Sequence, residues 1–463
     1  MRNFILGSAA LLLAAGAAGA ADMPVKAMPV KAPPVVMYDW NGFYIGGFYG
    51  SSLQETKAHT DPPGVVGGTH AGMVHINGQG ITFGGTVGYN WQFLPAWLVG
   101  VEADFGDMGL DKTFKDWDDL ILTGSKATWY STLRGRFGYV TGPSLIYATG
   151  GAAWVHVTDT FGGGAPGIAT ANSSTPAGFA VGGGIETKLS RNWTAKTEYL
   201  FIDVGSTNFG ANVFGLPGVP TTFDHTYHVI KTGLNYKLDG NWEGLPFFGA
   251  PLLPSNHSWQ GLYAGINVGG GMSLVRAIGN PFAPGGPGGE ENPQGTGASA
   301  GGQVGYNYML GRTPIGTWFV GLEGDISYLG IHSQVDDWFD TGFARFEADT
   351  SWLGTVRARA GTTTGPALLY MTAGAAWVGL KDGFAPTIAV VPGDLASRTA
   401  FGYAVGGGTE VAINERWSAK VESLFVDVGH TNHQVFPGGA FYADFKDRFM
   451  VVRAGLNLKL GDW

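Results

Sequence analysis

The chain has 463 residues and no cysteine, so disulfide frameworks and sites built on thiolates are excluded. Charged residues make up only 14% of the sequence, which is sparse for the surface of a soluble protein. No uninterrupted apolar run of about 18 residues occurs, so a membrane-spanning helix is not expected. The net charge of −9 argues against nucleic acid as a partner.

Glycine and aromatic residues are abundant, and the chain repeats itself. The 78 glycines argue against a helical protein, and the 13% of aromatic residues argues against disorder. Residues 40–238 and 259–460 contain the same short sequence motifs in the same order, roughly 220 positions apart. For example, Trp40-Asn-Gly-Phe-Tyr returns as Trp259-Gln-Gly-Leu-Tyr. A period of this length has the size of a domain, so we predict a tandem duplication.

The first 20 residues are predicted to be a cleaved secretory signal peptide. Arg2 supplies a basic start, and residues 4–15 form a short apolar core. The small residues Ala18-Gly-Ala20 then provide a cleavage site. We therefore expect an exported protein of a Gram-negative bacterium, rather than one held by a transmembrane anchor.

Residues 21–37 are predicted to be a periplasmic leader. Met23-Pro-Val-Lys-Ala is followed at once by Met28-Pro-Val-Lys-Ala, and such proline-rich sequence favours an extended conformation. The two lysines, Lys26 and Lys31, could contact an anionic polymer such as peptidoglycan. A leader that is simply solvated is the plainer interpretation.

Between glycine-rich breaks the residues alternate with a period of two. In the segment 99–105 the odd positions are apolar, whereas the even positions include Glu102 and Asp104. Arg134 and Arg136 likewise share one face of their segment. This alternation predicts β-strands whose two faces meet different surroundings. Eight such segments occur in the first half, near 40–50, 80–93, 97–107, 127–140, 143–158, 176–189, 192–204 and 225–238.

The connections between these segments alternate between short and long. Short turns are expected at 93–97, 141–143 and 189–192, and long loops at 51–79, 107–126, 159–175 and 205–224. Strands with short turns at one end and long loops at the other are typical of transmembrane barrels. A soluble sandwich or lipocalin-like barrel would alternate too, but the signal peptide, the aromatic residues near strand ends and the scarcity of charge favour the membrane barrel.

The alternation breaks at two matching places. Asp203 and Asp427 each lie on the strand face that should meet lipid, within the motif Phe-x-Asp-Val-Gly. We interpret this as the strand leaving the apolar band, with a β-bulge at Gly205 or Gly429.

Several sequence motifs, taken in their order along the chain, resemble those of a known family. They include Trp40-Asn-Gly-Phe-Tyr-Ile-Gly, Val87-Gly-Tyr-Asn90, Gly100-Val-Glu-Ala-Asp104, Gly182-Gly-Gly-Ile-Glu186 and Gly233-Leu-Asn-Tyr-Lys237. Their order resembles the small outer-membrane β-barrel family of alpha-proteobacteria, the porin-like major surface proteins. The resemblance covers most of the chain twice and implies an eight-stranded up-and-down barrel for each half. Such proteins commonly end on an aromatic residue that the barrel-assembly machinery reads, and here Trp463 stands slightly beyond the last strand-like segment.

Sixteen strands could close as two small barrels or as one wide barrel. The stretch 240–257 is much longer than the tight turns, which favours a periplasmic linker between separate barrels. We predict an all-β protein with two tandem eight-stranded transmembrane antiparallel barrels, at 38–239 and 258–463. One sixteen-stranded barrel is the alternative.

The charged positions of the strands are predicted to face the barrel interior. In two small barrels they would form a compensated network, whereas in a wide pore they would line water. The predicted residues are Glu102, Asp104, Arg134, Arg136, Glu186, Lys196 and Glu198 in the first half, with Glu323, Asp325, Arg357, Arg359, Glu410, Lys420 and Glu422 in the second.

The long loops hold acidic and histidine residues that could bind ligands. The acidic groups, Asp116, Asp118 and Asp119 with Asp336, Asp337 and Asp340, could hold a divalent cation or contact lipopolysaccharide. A solvated loop with a tryptophan at the membrane edge is the plainer interpretation. The histidines match no metal template, and no catalytic constellation is shared by the two halves. We therefore predict no metal, no cofactor and no enzymatic activity.

These observations lead to two hypotheses about function. The first is a structural or porin-like protein of the outer membrane that contacts lipid and lipopolysaccharide and passes small solutes to a limited extent. The alternative is a surface-exposed binding protein whose long loops capture a ligand such as haem, or a host surface.

Overall fold

The structure is a computed structural model. It describes residues 38–60, 72–115, 121–163, 169–213, 216–238, 257–280, 289–293, 295–313, 316–336, 345–385, 394–434 and 442–461. The predicted signal peptide, the leader and most of the predicted linker lie outside the described residues. Among these residues, no helix has the length and apolar character needed to cross a membrane.

The described part of the first half folds into nine strands that close into a ring. They are β1 (Gly42–Thr60), β2 (Gly72–Leu94), β3 (Trp97–Lys115), β4 (Ile121–Thr141), β5 (Ser144–Gly163), β6 (Thr170–Ser174), β7 (Ala177–Lys188), β8 (Trp193–Val213) and β9 (Leu216–Lys237). Antiparallel pairing runs β1-β2-β3-β4-β5-β7-β8-β9, and β9 returns to pair with β1. The short β6 pairs with one end of β5, so eight strands form the ring.

The second half repeats this arrangement. Its described strands are β10 (Gly261–Ser273), β11 (Arg276–Asn280), β12 (Gly289–Glu291), β13 (Thr296–Thr313), β14 (Gly316–Leu329), β15 (Gln334–Asp336), β16 (Arg345–Thr363), β17 (Ala367–Ala385), β18 (Asp394–Ala412), β19 (Trp417–Gln434) and β20 (Tyr442–Gly461). The ring β10-β13-β14-β16-β17-β18-β19-β20 is closed by pairing of β10 with β20. The prediction of two eight-stranded barrels is therefore confirmed, and the sixteen-stranded alternative is wrong.

The strands are longer than the sequence predicted, and the expected long loops are shorter. β1 and β2 stay paired from Gly42↔Asn90 as far as Thr60↔Gly72, although 51–79 was expected to be a loop. Strand pairing also continues into the stretches 107–126, 159–175 and 205–224. These extensions carry polar residues such as Gln54 and Thr56, which are buried and hydrogen-bonded to each other. Because these inward residues are polar, the alternation of apolar and polar residues does not reveal the strand extensions.

Within the central part of each barrel, apolar side chains point outwards and charged ones inwards. On β4, Leu133 and Phe137 are 56% and 51% exposed, whereas Arg134 and Arg136 are 1% and 3% exposed. The outward residues, together with aromatic pairs such as Trp97 and Tyr139 near the tight turns, form the apolar belt that a membrane barrel presents to lipid.

The predicted bulges are confirmed at both places. The β-ladder shifts register between Asp203 and Gly205, and again between Asp427 and His430. Gly205 and Gly429 have φ values of 67° and 82°, a conformation that glycine adopts at little cost. The amide of each glycine donates to the carboxylate two residues earlier, at 2.8 Å and 2.9 Å. The bulge thus gives the carboxylates of Asp203 and Asp427 a hydrogen bond from the nearby backbone, where each strand leaves the apolar belt.

Candidate functional site

The interior of the first barrel contains a continuous network of charges. Glu102 and Asp104 project from β3, and Arg134 and Arg136 project from β4, because each pair is two residues apart on an inward face. Glu186 on β7 and the pair Lys196 and Glu198 on β8 complete the predicted set. The structure brings all seven predicted residues together, and each is buried.

Each carboxylate in this network meets at least one cationic group. Arg134 Nη2 lies 2.8 Å from Glu102 Oε1 and 3.1 Å from Glu198 Oε1, and it also contacts Asp104. Arg136 Nη2 lies 2.7 Å from Glu186 Oε2. The two arginine side chains are 0% exposed, so bulk water does not screen these pairs.

Neutral side chains supply further hydrogen bonds. The Tyr44 hydroxyl donates to Glu102 Oε2 at 2.7 Å, and the Tyr147 hydroxyl donates to Glu198 Oε2 at 2.7 Å. The guanidinium of Arg136 also lies 4.1 Å from the centre of the Tyr147 ring. Buried charges are tolerable when they are paired, and these contacts give each charged group of the network at least one partner of opposite charge or a hydrogen bond.

The second barrel repeats the network at matching positions. Arg357 lies 2.8 Å from both Glu323 and Asp325 and 3.0 Å from Glu422. Arg359 lies 3.0 Å from Glu410, and the Lys420 ammonium lies 2.9 Å from Glu323. The predicted second-half residues are therefore also brought together, and they too are buried.

The predicted sets each lacked one cation. Each contains four carboxylates and three cations, a net charge of 4 × (−1) + 3 × (+1) = −1. The structure adds Lys231 on β9, which contacts Asp104 and lies 3.1 Å from Glu198. In the second barrel Arg453 occupies the matching place, 2.8 Å from both Asp325 and Glu422. Each network is then neutral. Strand alternation already placed both cations on inward faces, so the signal was present.

Three carboxylates of the first network lie close enough to surround a cation. Ligand atoms of Glu102, Asp104 and Glu198 all lie within 4.8 Å of one another. The space beside them is taken by side chains of the protein, since the Lys196 ammonium lies 2.8 Å from Glu102 and Lys231 lies between Asp104 and Glu198. Resident cations thus supply the charge that a metal ion would otherwise bring.

A second polar cluster lies inside each barrel beyond the apolar belt, at the end opposite the tight turns. In the first barrel, Asp159 accepts hydrogen bonds from Ser125 at 2.8 Å and Thr207 at 2.7 Å. His225 Nε2 lies 3.0 Å from the same carboxylate. His225, the first residue of the predicted strand segment 225–238, is a fully buried strand residue.

In the second barrel this place holds two acids. Arg398 Nη2 lies 2.8 Å from Asp382 and 2.7 Å from Asp447, and His433 lies 3.6 Å from Asp382. Burial, with the neighbouring Asp382 charge, raises the pKa of Asp447 well above its usual value. Burial also disfavours the Asp382 charge, but hydrogen bonds from His433 and Arg398 outweigh it and lower its pKa to about 2. Of the two carboxyl groups, Asp447 therefore binds a proton more readily.

Several other predicted ligand residues lie apart from these clusters. Asp116, Asp118, Asp119, Asp337 and Asp340 lie outside the described residues. The backbone of Asp336 ends β15, opposite Arg345. His332 and His430 form exposed pairs with Asp349 and Asp444 at 2.6 Å and 3.0 Å. The structure therefore gathers none of the described loop histidines into a common site.

Replacing Glu102 with glutamine should strongly destabilise the protein. Glu102 contacts Arg134, Arg136 and Lys196, so its neutralisation leaves buried cations undercompensated, at a cost of about 3–5 kcal/mol. Urea unfolding in detergent micelles, followed by tryptophan fluorescence, measures this. Asp111→Asn is the control, because its pair with Lys126 is exposed and should contribute little. Equal effects of the two variants would contradict a role for the network in stability.

Asp447→Asn should remove a pH dependence of stability. Because the folded-state pKa of Asp447 is raised, its contribution is present at pH below the usual value near 4 and is lost as pH rises through the raised pKa. The wild-type unfolding free energy should therefore fall, relative to that of the asparagine variant, as pH rises from about 4 to neutrality. Unfolding curves across this range test it, and parallel pH profiles would refute it.

Comparison with known proteins agrees with this architecture. The family model of the outer membrane protein beta-barrel domain matches residues 8–237 and again 245–458. The 31 kDa outer-membrane immunogenic protein of Brucella melitensis is 30% identical over 248 residues, covering 51% of this chain and 100% of that protein. The 22 kDa outer membrane protein of Rhizobium leguminosarum is 34% identical over 176 residues, covering 37% and 67%.

Solved structures give weaker likenesses. The attachment invasion locus protein Ail of Yersinia pestis aligns with a TM-score of 0.19 and 14% identity, covering 40% of this chain and 98% of Ail. Neisserial surface protein A aligns with a TM-score of 0.21 and 12% identity, covering 42% and 97%. Scores this low support no conclusion. The two matches of the family model and the two closed rings of strands support a conclusion. The chain belongs to the outer membrane protein beta-barrel domain family and is a bacterial outer-membrane protein with two such barrels in tandem.

Proposed function

We propose that this protein is a structural component of the outer membrane whose two barrels are closed plugs that pass small solutes poorly. The observation that carries the proposal is the buried, neutral network that crosses each barrel. Among the largest fully buried side chains are Arg134, Arg357, Arg359 and Arg453. Side chains of this size inside an eight-stranded ring leave little room for water, since such a barrel is just wide enough for its own side chains.

The charges themselves argue against an open channel. Residues that set ion selectivity line water, whereas Arg134, Arg357 and Lys420 have side chains that are 0% exposed and are directly paired with carboxylates. A permeating ion would have to separate such pairs in surroundings of low dielectric constant, where their attraction is strong. The relatives are named as outer-membrane and immunogenic proteins, which suits a structural, surface-exposed and non-enzymatic role.

A closed barrel should conduct almost no ions. The wild-type protein, refolded into planar lipid bilayers, should be nearly silent in single-channel recordings. A net-neutral variant that truncates two acids and two arginines of the first network, Glu102, Arg134, Arg136 and Glu186, to alanine should show steps of conductance, because water then replaces the plug.

The control removes the same kind of charge from the exposed surface. Asp111→Ala with Lys126→Ala should remain as silent as the wild type, since this pair lies outside the lumen. Heat-dependent gel mobility establishes folding of each variant before recording. A large and steady conductance of the wild-type protein would overturn the proposal, whatever the variants do.

A further inference from the structure

The two barrels meet through faces that a single barrel would present to lipid. The Thr197 hydroxyl on β8 and the Thr409 hydroxyl on β18 lie 2.7 Å apart and are buried. Near the tight turns, Ile185 packs with Ala367 and Val411 of the second barrel. A hydrogen bond between outward side chains is favourable in hydrocarbon, where water offers no competing partner.

Beside this interface the barrel walls separate and leave a deep crevice of about 1260 Å³. Its walls are mainly outward apolar residues, Leu53, Tyr199 and Phe201 from the first barrel with Ile266, Val268 and Met272 from the second. Leu53 and Met272 belong to outward faces but are only 1% and 5% exposed, because they pack in one cluster with Ile230 and Met450 where the barrels touch at the edge of the crevice. Pockets for small molecules are usually roughly 300–1,000 Å³, so this volume suits a larger, extended occupant.

The position of the crevice determines what can fill it. Ile266 and Val268 are 64% and 60% exposed and belong to the apolar belt of the second barrel. Gly270, on the same outward face of β10, adds no side chain, and an added Cβ would meet only ordinary contacts. At this depth the surrounding solvent is hydrocarbon, so the space is continuous with the acyl chains of the bilayer.

Polar groups line the end of the crevice that faces away from the tight turns. His228 Nδ1 is 2.8 Å from the Tyr199 hydroxyl, while His228 Nε2 is buried without a hydrogen-bond partner among the described residues. Lys57 stands opposite Asp224 in the β1–β9 ladder, and both line the crevice together with Glu55. The ammonium can meet a phosphate directly, and the two carboxylates can hold a divalent cation that bridges to a second phosphate.

We propose that this crevice binds lipopolysaccharide of the outer leaflet. Its acyl chains lie between the barrels along Ile266, Val268 and Gly270. His228 Nε2 meets a polar group where the chains join the head, and Lys57 meets a head-group phosphate. Both barrels insert with the tight turns towards the periplasm, so the polar end of the crevice lies at the leaflet that contains this lipid.

The test compares lipid retention by the full-length protein and two outward-face variants. Protein purified from outer membranes is delipidated, incubated with rough-type lipopolysaccharide or with phosphatidylethanolamine, and examined by native mass spectrometry. The wild type should retain lipopolysaccharide in preference to the phospholipid. Gly270→Phe should weaken retention by about tenfold, because displacing even two buried methylenes costs that much. Gly324→Phe is the matched control, since Gly324 is an outward glycine of β14 with equal room for a side chain.

Three further variants test the polar end of the crevice and the contact between the barrels. Lys57→Gln should weaken lipopolysaccharide retention without changing the phospholipid result. Because the chain lacks cysteine, Thr197→Cys with Thr409→Cys should form a disulfide if the barrels meet as described, as should the within-barrel pair Thr197→Cys with Thr232→Cys. The proposal is overturned if the wild type retains no lipopolysaccharide, if both phenylalanine variants behave alike, or if only the within-barrel pair crosslinks. It also fails if the phospholipid binds equally well.

Discussion

Neutrality of the buried charges is the constraint on which each barrel depends. Eight charged side chains form the central network of the first barrel, and removal of any one leaves an uncompensated charge away from water. The same requirement fixes strand register, since a slip of one residue on β4 would turn Arg134 and Arg136 towards lipid. An arginine at mid-membrane depth on that face costs about 2–4 kcal/mol. Folding and strand register therefore have one common cause.

The repeat shows which parts of the network tolerate change. Every member of the first set has a counterpart of the same charge in the second, and the one difference in residue type is Lys231 against Arg453. Arginine there forms pairs with both Asp325 and Glu422, as its planar guanidinium allows. The polar cluster beyond the apolar belt differs more between the two barrels. Asp159 corresponds to Asp382, but His225 corresponds to Asp447, and Arg398 contacts both acids of the second barrel.

Much of the fold followed from the sequence because the alternation has a direct physical cause. Period-two spacing placed Glu102 and Arg134 on inward faces, and the parity break at Asp203 correctly located a bulge. The strand extensions were missed because beyond the lipid both faces can be polar, as at the inward Thr56 and the outward Lys57. The inter-barrel contact between Thr197 and Thr409 could not be found, since no local pattern shows which outward face meets the other barrel.

The most direct test of this account is to express residues 38–239 and 257–463 separately and refold each in detergent micelles. If each repeat contains a complete neutral network and a closed ring, each half should give a β-rich, heat-modifiable species that unfolds cooperatively. Glu102→Gln should then lower the unfolding free energy of the first half, and Glu323→Gln that of the second. If neither half folds alone, or if each substitution leaves its own half unaffected, the claim that each barrel is a self-sufficient unit organised by its buried charges is contradicted.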